Sequence, residues 1–204
     1  MSGFFITLEG GEGVGKTTQA QLVASALREK GYSVITTREP GGTPLGEKIR
    51  EILLKGDVDK MEPMTEALLF TAVRYNHYNR VIKPAIERGD IVICDRYCDT
   101  TFAYQGFAHG LGIDTMEKLY DLAIGEFKPN LTIVFDLPQG QSHGRLTEIN
   151  RFENMGDNWL LKGAEGFREV ARRNPDRCVL MDSTGSIEEV TSRIMDIIHK
   201  KLGL

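Results

Sequence analysis

Apolar residues along this chain keep two rhythms in turn. Residues 4–9, 91–94 and 131–135 are short runs rich in aromatic and β-branched side chains, which predict buried strands. The last two are unbroken, as in strands covered on both faces. Residues 33–37 and 178–181 are further short β-rich runs. Between the runs, apolar positions recur at the helical period. Helices are expected over 17–30, 45–54, 62–88, 115–127, 158–173 and 187–201. The first carries Leu22, Val23, Ala26 and Leu27 on one face and closes at Gly31, and the third bends around Lys83-Pro84. Alternating strands and helices predict an α/β fold, a doubly wound five-stranded parallel sheet flanked by helices. No repeat, low-complexity tract or linker divides the chain, so residues 1–204 read as one domain.

The first strand runs directly into Gly10-Gly11-Glu12-Gly13-Val14-Gly15-Lys16-Thr17-Thr18. This is the phosphate-binding pattern of two glycines, Lys and Thr between a strand and a helix, so the fold is of the P-loop NTPase type. The glycines let successive backbone N–H groups point into one concavity, and the helix starting near Lys16 adds its positive dipole end. Lys16 is suited to the β- and γ-phosphates, and the Thr17 hydroxyl to Mg²⁺. Asp95, at the tip of the third strand, is the expected carboxylate partner of the metal, with Arg96 beside it as a fork-shaped phosphate ligand. Asp136 ends the fourth strand and is the rival carboxylate; the adjoining cation favours Asp95. Arg38 and Glu39 leave the second strand before Pro40-Gly41-Gly42, so both are candidates to face the crevice at the carboxyl ends of the strands.

Composition narrows the partners. The chain has 41% hydrophobic and 26% charged residues and a formal charge of −4, which argues against a broad nucleic-acid-binding face. Cys94, Cys98 and Cys178 are odd in number and lack zinc-ligand spacing, as in a reducing compartment. No leader pattern or membrane-length apolar run is present, so a cytoplasmic protein is expected. A nucleotide-dependent switch is disfavoured because no NKxD base-reading motif occurs.

The set GGEGVGKTT, TREPGGT, ALLFTAVRYNH, DRYCDTTFAYQG and D-x-P…R…NRFE closely resembles the thymidylate kinase family over nearly the whole chain. That resemblance implies transfer of the γ-phosphoryl of ATP to dTMP with Mg²⁺, for dTTP synthesis, by a homodimer that associates through apolar helix faces such as that of 62–80. It implies that Phe70 stacks on thymine, that Arg74 one turn along meets a base carbonyl, and that Thr101 and Gln105 contact the base edge. It further implies that Arg96, helped by Arg38, holds the acceptor phosphate, that Tyr104 selects deoxyribose, and that Glu12 meets the sugar 3′-hydroxyl or positions Mg²⁺ and Arg96. Members with glycine at the position of Gly13 carry their transition-state arginine in a lid. Here the corresponding segment, around 143–153, is short, and Arg145 or Arg151 is the expected catalytic cation, with His143 and Lys162 the other cations nearby. Another small-acceptor kinase, or one preferring dUMP, is the alternative.

Overall fold

The computed structural model describes residues 3–138 and 151–203. Five strands, β1 (Phe4–Gly10), β2 (Val34–Arg38), β3 (Ile91–Asp95), β4 (Leu131–Asp136) and β5 (Cys178–Asp182), form one parallel sheet in the order β2-β3-β1-β4-β5. The three central strands are almost wholly buried, whereas β2 and β5 are partly exposed edges. Phe5, Ile6 and Leu8 on β1 are fully buried, each contributing roughly 1.5–3 kcal/mol from loss of apolar surface to water.

Helices cover both faces. Helix α1 (Lys16–Glu29) and α8 (Ile187–Leu202) pack Val23, Leu27, Ile194 and Ile198 against Ile6, Leu8 and Ile133. The buried face of α1 is Ala20, Val23, Ala24 and Leu27; Leu22, expected on it, is exposed. The other face carries α2 (Pro44–Leu54), α3 (Pro63–His77), α4 (Lys83–Arg88), α5 (Cys98–Thr101), α6 (Ile113–Ile124) and α7 (Asp157–Arg173). Thr43 caps α2 by accepting from Gly46 N at 3.0 Å, with Pro44 in the first turn. The long helix expected over 62–88 is α3 and α4 joined by a π-helical turn, Tyr78–Ile82, just before Pro84.

Helix α5 continues as a π-helical stretch, Phe102–Ala108, that the periodicity does not reveal. Residues from Cys98 through Gly106 are buried all round, so no amphipathic stripe marks them. Helix α7 approaches this stretch through glycines: a Cβ on Gly166 would lie 2.7 Å from Ala103 O, and one on Gly163 would strike the Tyr104 ring. The three cysteines are free and buried. Among the described residues, no helix is long and apolar enough to cross a membrane.

Candidate active site

Register brings the chemistry to one edge of the sheet. Leu8 pairs with Asp95, and Asp95 with Arg38, so β1, β3 and β2 release their chains side by side. Sequence order reverses between β1 and β3, the crevice where ligands of such sheets bind. A cleft of about 850 Å³ opens there. Its walls run from the phosphate loop past Arg38, Arg50, Asp95 and Arg96 to Phe70, Tyr104, Gln105 and Phe152. On the other side of the loop it reaches Gly185, Ser186 and Ile187.

Gly10, Gly13 and Gly15 have φ of 134°, 70° and 91°, values that side chains disfavour, which is why the loop needs glycine there. Lys16 Nζ donates back to Gly11 O. Burial and then Arg96 push its pKa down to about 8, so a bound polyanion restores what the site withholds from this cation. Thr17 Oγ1 donates to Asp95 Oδ2, whereas Asp136 is occupied by Arg168 at 2.7 and 3.0 Å and does not line the cleft.

Arg96 is the hub. It is the one described non-glycine residue with positive φ, 67°, a strained conformation of the kind that the surroundings must enforce. Its N–H donates to Leu8 O at 3.0 Å. The guanidinium donates to Gly10 O (2.8 Å), Gly11 O (3.3 Å), Thr100 Oγ1 (3.1 Å) and Glu12 Oε1 (2.7 Å). Burial acts against the Glu12 carboxylate, yet Arg96 and Lys16 together hold its pKa below the usual range. Beneath them Glu9 is fully buried and accepts from Tyr97 N and Thr100 Oγ1 at 2.7 and 2.5 Å. Burial and neighbouring Asp99 push its pKa up to about 7.

The expected acceptor residues divide into two groups. Phe70, Tyr104 and Gln105 line the cleft, as do the buried Glu39 and the exposed Arg38, which pairs with Glu47. Tyr104 stacks on Trp159 with centroids 4.6 Å apart and lies under the Arg96 guanidinium; burial pushes its phenol up. Arg74 and Thr101 sit behind the cleft wall and do not line it. Arg74 donates to Glu39 Oε2 at 2.9 Å, to Tyr97 O at 3.1 Å and to Thr101 Oγ1 at 3.1 Å. His77 Nδ1 lies 2.9 Å from Glu39 Oε1, so Glu39 holds two helix side chains.

Arg151, expected as a candidate catalytic cation, does not line the cleft. Its guanidinium is buried, donates to Leu53 O and Val58 O at 3.0 Å each and pairs with Glu66, away from the phosphate loop. Arg145, with His143 and most of the segment around 143–153, lies outside the described residues. Two features of the cleft escaped the sequence reading. Arg50 on α2 lines it, donates to Pro40 O at 2.8 Å, and is a third cation beside Arg38 and Arg96. The turn at Gly185–Ile187 is the second; its signal is the capping box Ser186-x-x-Glu189, which was available in the sequence.

A glycine-rich loop, a helix N-terminus, an oxygen pair at Thr17–Asp95 and clustered arginines define a P-loop phosphotransferase site. The thymidylate kinase family model matches residues 8–194. The thymidylate kinase of Caulobacter vibrioides is 42% identical over 208 residues, covering 99% of both chains. That of Bacillus licheniformis is 42% identical over 207 residues, covering 99% of this chain and 98% of its own. The crystal structure of thymidylate kinase from Ehrlichia chaffeensis superposes with a TM-score of 0.81 at 32% identity, covering 97% of this chain and 100% of that one. This chain belongs to the thymidylate kinase family.

Proposed function

We propose that the chain transfers the γ-phosphoryl group of ATP to dTMP, giving dTDP and ADP. The observation that carries this reading is the continuous cleft joining the phosphate loop to an aromatic, amide-bearing pocket across Arg96. The attacking group is already a phosphate anion, so no general base is needed; positioning and charge neutralisation do the work. In this reading Gly10–Thr18 and Lys16 hold the donor phosphates, and the Gly185–Ile187 turn adjoins the donor base. Arg96, Arg38 and Arg50 gather the acceptor phosphate, and Phe70, Tyr104 and Gln105 meet the nucleoside. Glu12 keeps Arg96 aimed. Arg74 and Thr101 support the pocket from behind, with Glu39 in its wall holding Arg74, and Arg145 is left as the transition-state cation.

Magnesium fits the donor set. Thr17 and Asp95 present hard oxygens in contact with one another. Among the described residues no group of three or more His, Cys, Asp or Glu side chains converges. A site with so few protein ligands suits Mg²⁺, which keeps waters and takes phosphate oxygens. Bound there, the ion would supply neutralisation of the donor phosphates.

The reading is checked by ADP release with ATP·Mg²⁺ and dTMP, dUMP, dCMP, UMP or no acceptor. Strong turnover is expected with dTMP and little without acceptor. Acceptor-independent hydrolysis would instead mark a switch, and preference for another nucleotide a different kinase.

We further infer a homodimer in the cytoplasm, without nucleic-acid or membrane partners, built from residues 1–204 as one domain. Met64, Leu68 and Tyr75 share one face of α3 and are exposed, an unpartnered apolar stripe of the sort that dimers cover. Leu68→Glu is expected to halve the mass seen by sedimentation; a monomeric unaltered chain would sink the inference.

A further inference from the structure

The base pocket contains a buried amide whose orientation is imposed by a carboxylate outside the cleft. Gln105 lines the cleft yet is only 1% exposed, and its Nε2 donates to Glu66 Oε1 at 2.6 Å. Glu66 is itself buried and stays ionised. Burial opposes the charge, but neighbouring His109 and Arg151 hold the pKa below the usual range. An ionised carboxylate only accepts hydrogen bonds, so the NH₂ end of the amide must face it. The opposite end, Gln105 Oε1, is buried and finds no hydrogen-bond partner among the described residues. An unsatisfied buried carbonyl is costly, and in a binding cleft it marks the place where a ligand donor completes the set.

We infer that Glu66 is a positioning residue for acceptor-base specificity: it locks Gln105 so that Oε1 presents an acceptor to a pyrimidine bearing a ring N–H. Thymine and uracil carry that donor at N3; cytosine carries a lone pair there and meets the carbonyl with repulsion. Glu66 touches no substrate in this scheme. It acts through Gln105, and its link to Arg151 and to the backbone at Leu53 and Val58 holds the carboxylate still. Discrimination is strong because the wrong base leaves a buried polar group unpaired.

The inference rests on the dTMP-kinase reading, and its test separates the two. Glu66→Gln keeps shape but can accept or donate, which frees the Gln105 amide to turn. The ratio of kcat/KM for dTMP to that for dCMP is expected to narrow at least about tenfold, with KM for ATP unchanged. Glu66→Asp keeps a negative charge near Arg151 but draws both oxygens back, so Gln105 loses its fixed partner; it narrows the ratio in the same direction, and it decides the matter if Glu66→Gln fails to fold. A merely structural Glu66 lowers both values together and leaves the ratio alone, which would overturn the inference. Absence of dTMP turnover in the unaltered chain sinks the functional reading and this inference with it; turnover with an unmoved ratio sinks the inference alone.

Discussion

Arg96→Ala is expected to lower kcat/KM for dTMP about a thousandfold, or about 4 kcal/mol of transition-state stabilisation. Four acceptors surround this guanidinium: two phosphate-loop carbonyls, Thr100 and Glu12. Removing it disorders the loop edge and leaves the Glu12 anion facing the phosphates with only Lys16 and more distant Arg50 to offset it. Arg96→Lys should recover little, because an ammonium cannot span Gly10 O and Glu12 as the planar fork does. The control is Arg96→Gly. It relaxes the backbone φ of 67°, so an equal rate loss without an equal loss of thermal stability separates chemistry from folding. Steady-state kinetics with dTMP varied would refute the assignment if Arg96→Ala stayed within tenfold of the unaltered chain.

The largest effect on stability is expected from Arg74→Ala. Arg74 and Glu39 each have side chains 2% exposed and pair at 2.9 Å. Deleting one member of a buried pair leaves the other charge uncompensated, at a cost of about 3–5 kcal/mol. For a chain of this length that lowers Tm by roughly 6–20 °C. His77 remains 2.9 Å from Glu39 and limits the damage. Arg74→Met with Glu39→Gln removes both charges, and calorimetry should show it recovering much of the loss. A single substitution that melts within about 2 °C of the unaltered chain would contradict the buried-pair account.

These two arginines also show what the sequence makes legible. Arg96 could be placed from its neighbours alone, because a buried apolar run ending in Asp-Arg has one direction in which to emerge. The phosphate loop is equally local: glycine spacing, Lys16 and Thr17 lie within a few residues of one another. The parallel, helix-flanked sheet followed from the alternation of elements, but its strand order, β2-β3-β1-β4-β5, did not. What escaped depends on contacts between distant segments. Arg151 finds Glu66, 85 residues away, and nothing near either residue announces the other. Arg50 sits on an ordinary amphipathic helix and matters only because Thr43 and Pro44 start that helix beside the TREPGG turn. The stretch 98–108 hides for the opposite reason: buried on every side, it lacks the polar face that gives a helix its period.

The buried cysteines make the chain its own reporter of opening. Burial pushes the thiols of Cys94, Cys98 and Cys178 up, and the reactive species at neutral pH is the thiolate. An alkylating reagent therefore meets almost no nucleophile while the fold is closed. Cys94 and Cys98 lie on β3 and α5, under the cleft, whereas Cys178 begins the edge strand β5. The order in which the three sites are labelled would thus time the loosening of the sheet's edge against that of its catalytic floor, with no foreign dye or tag in the molecule.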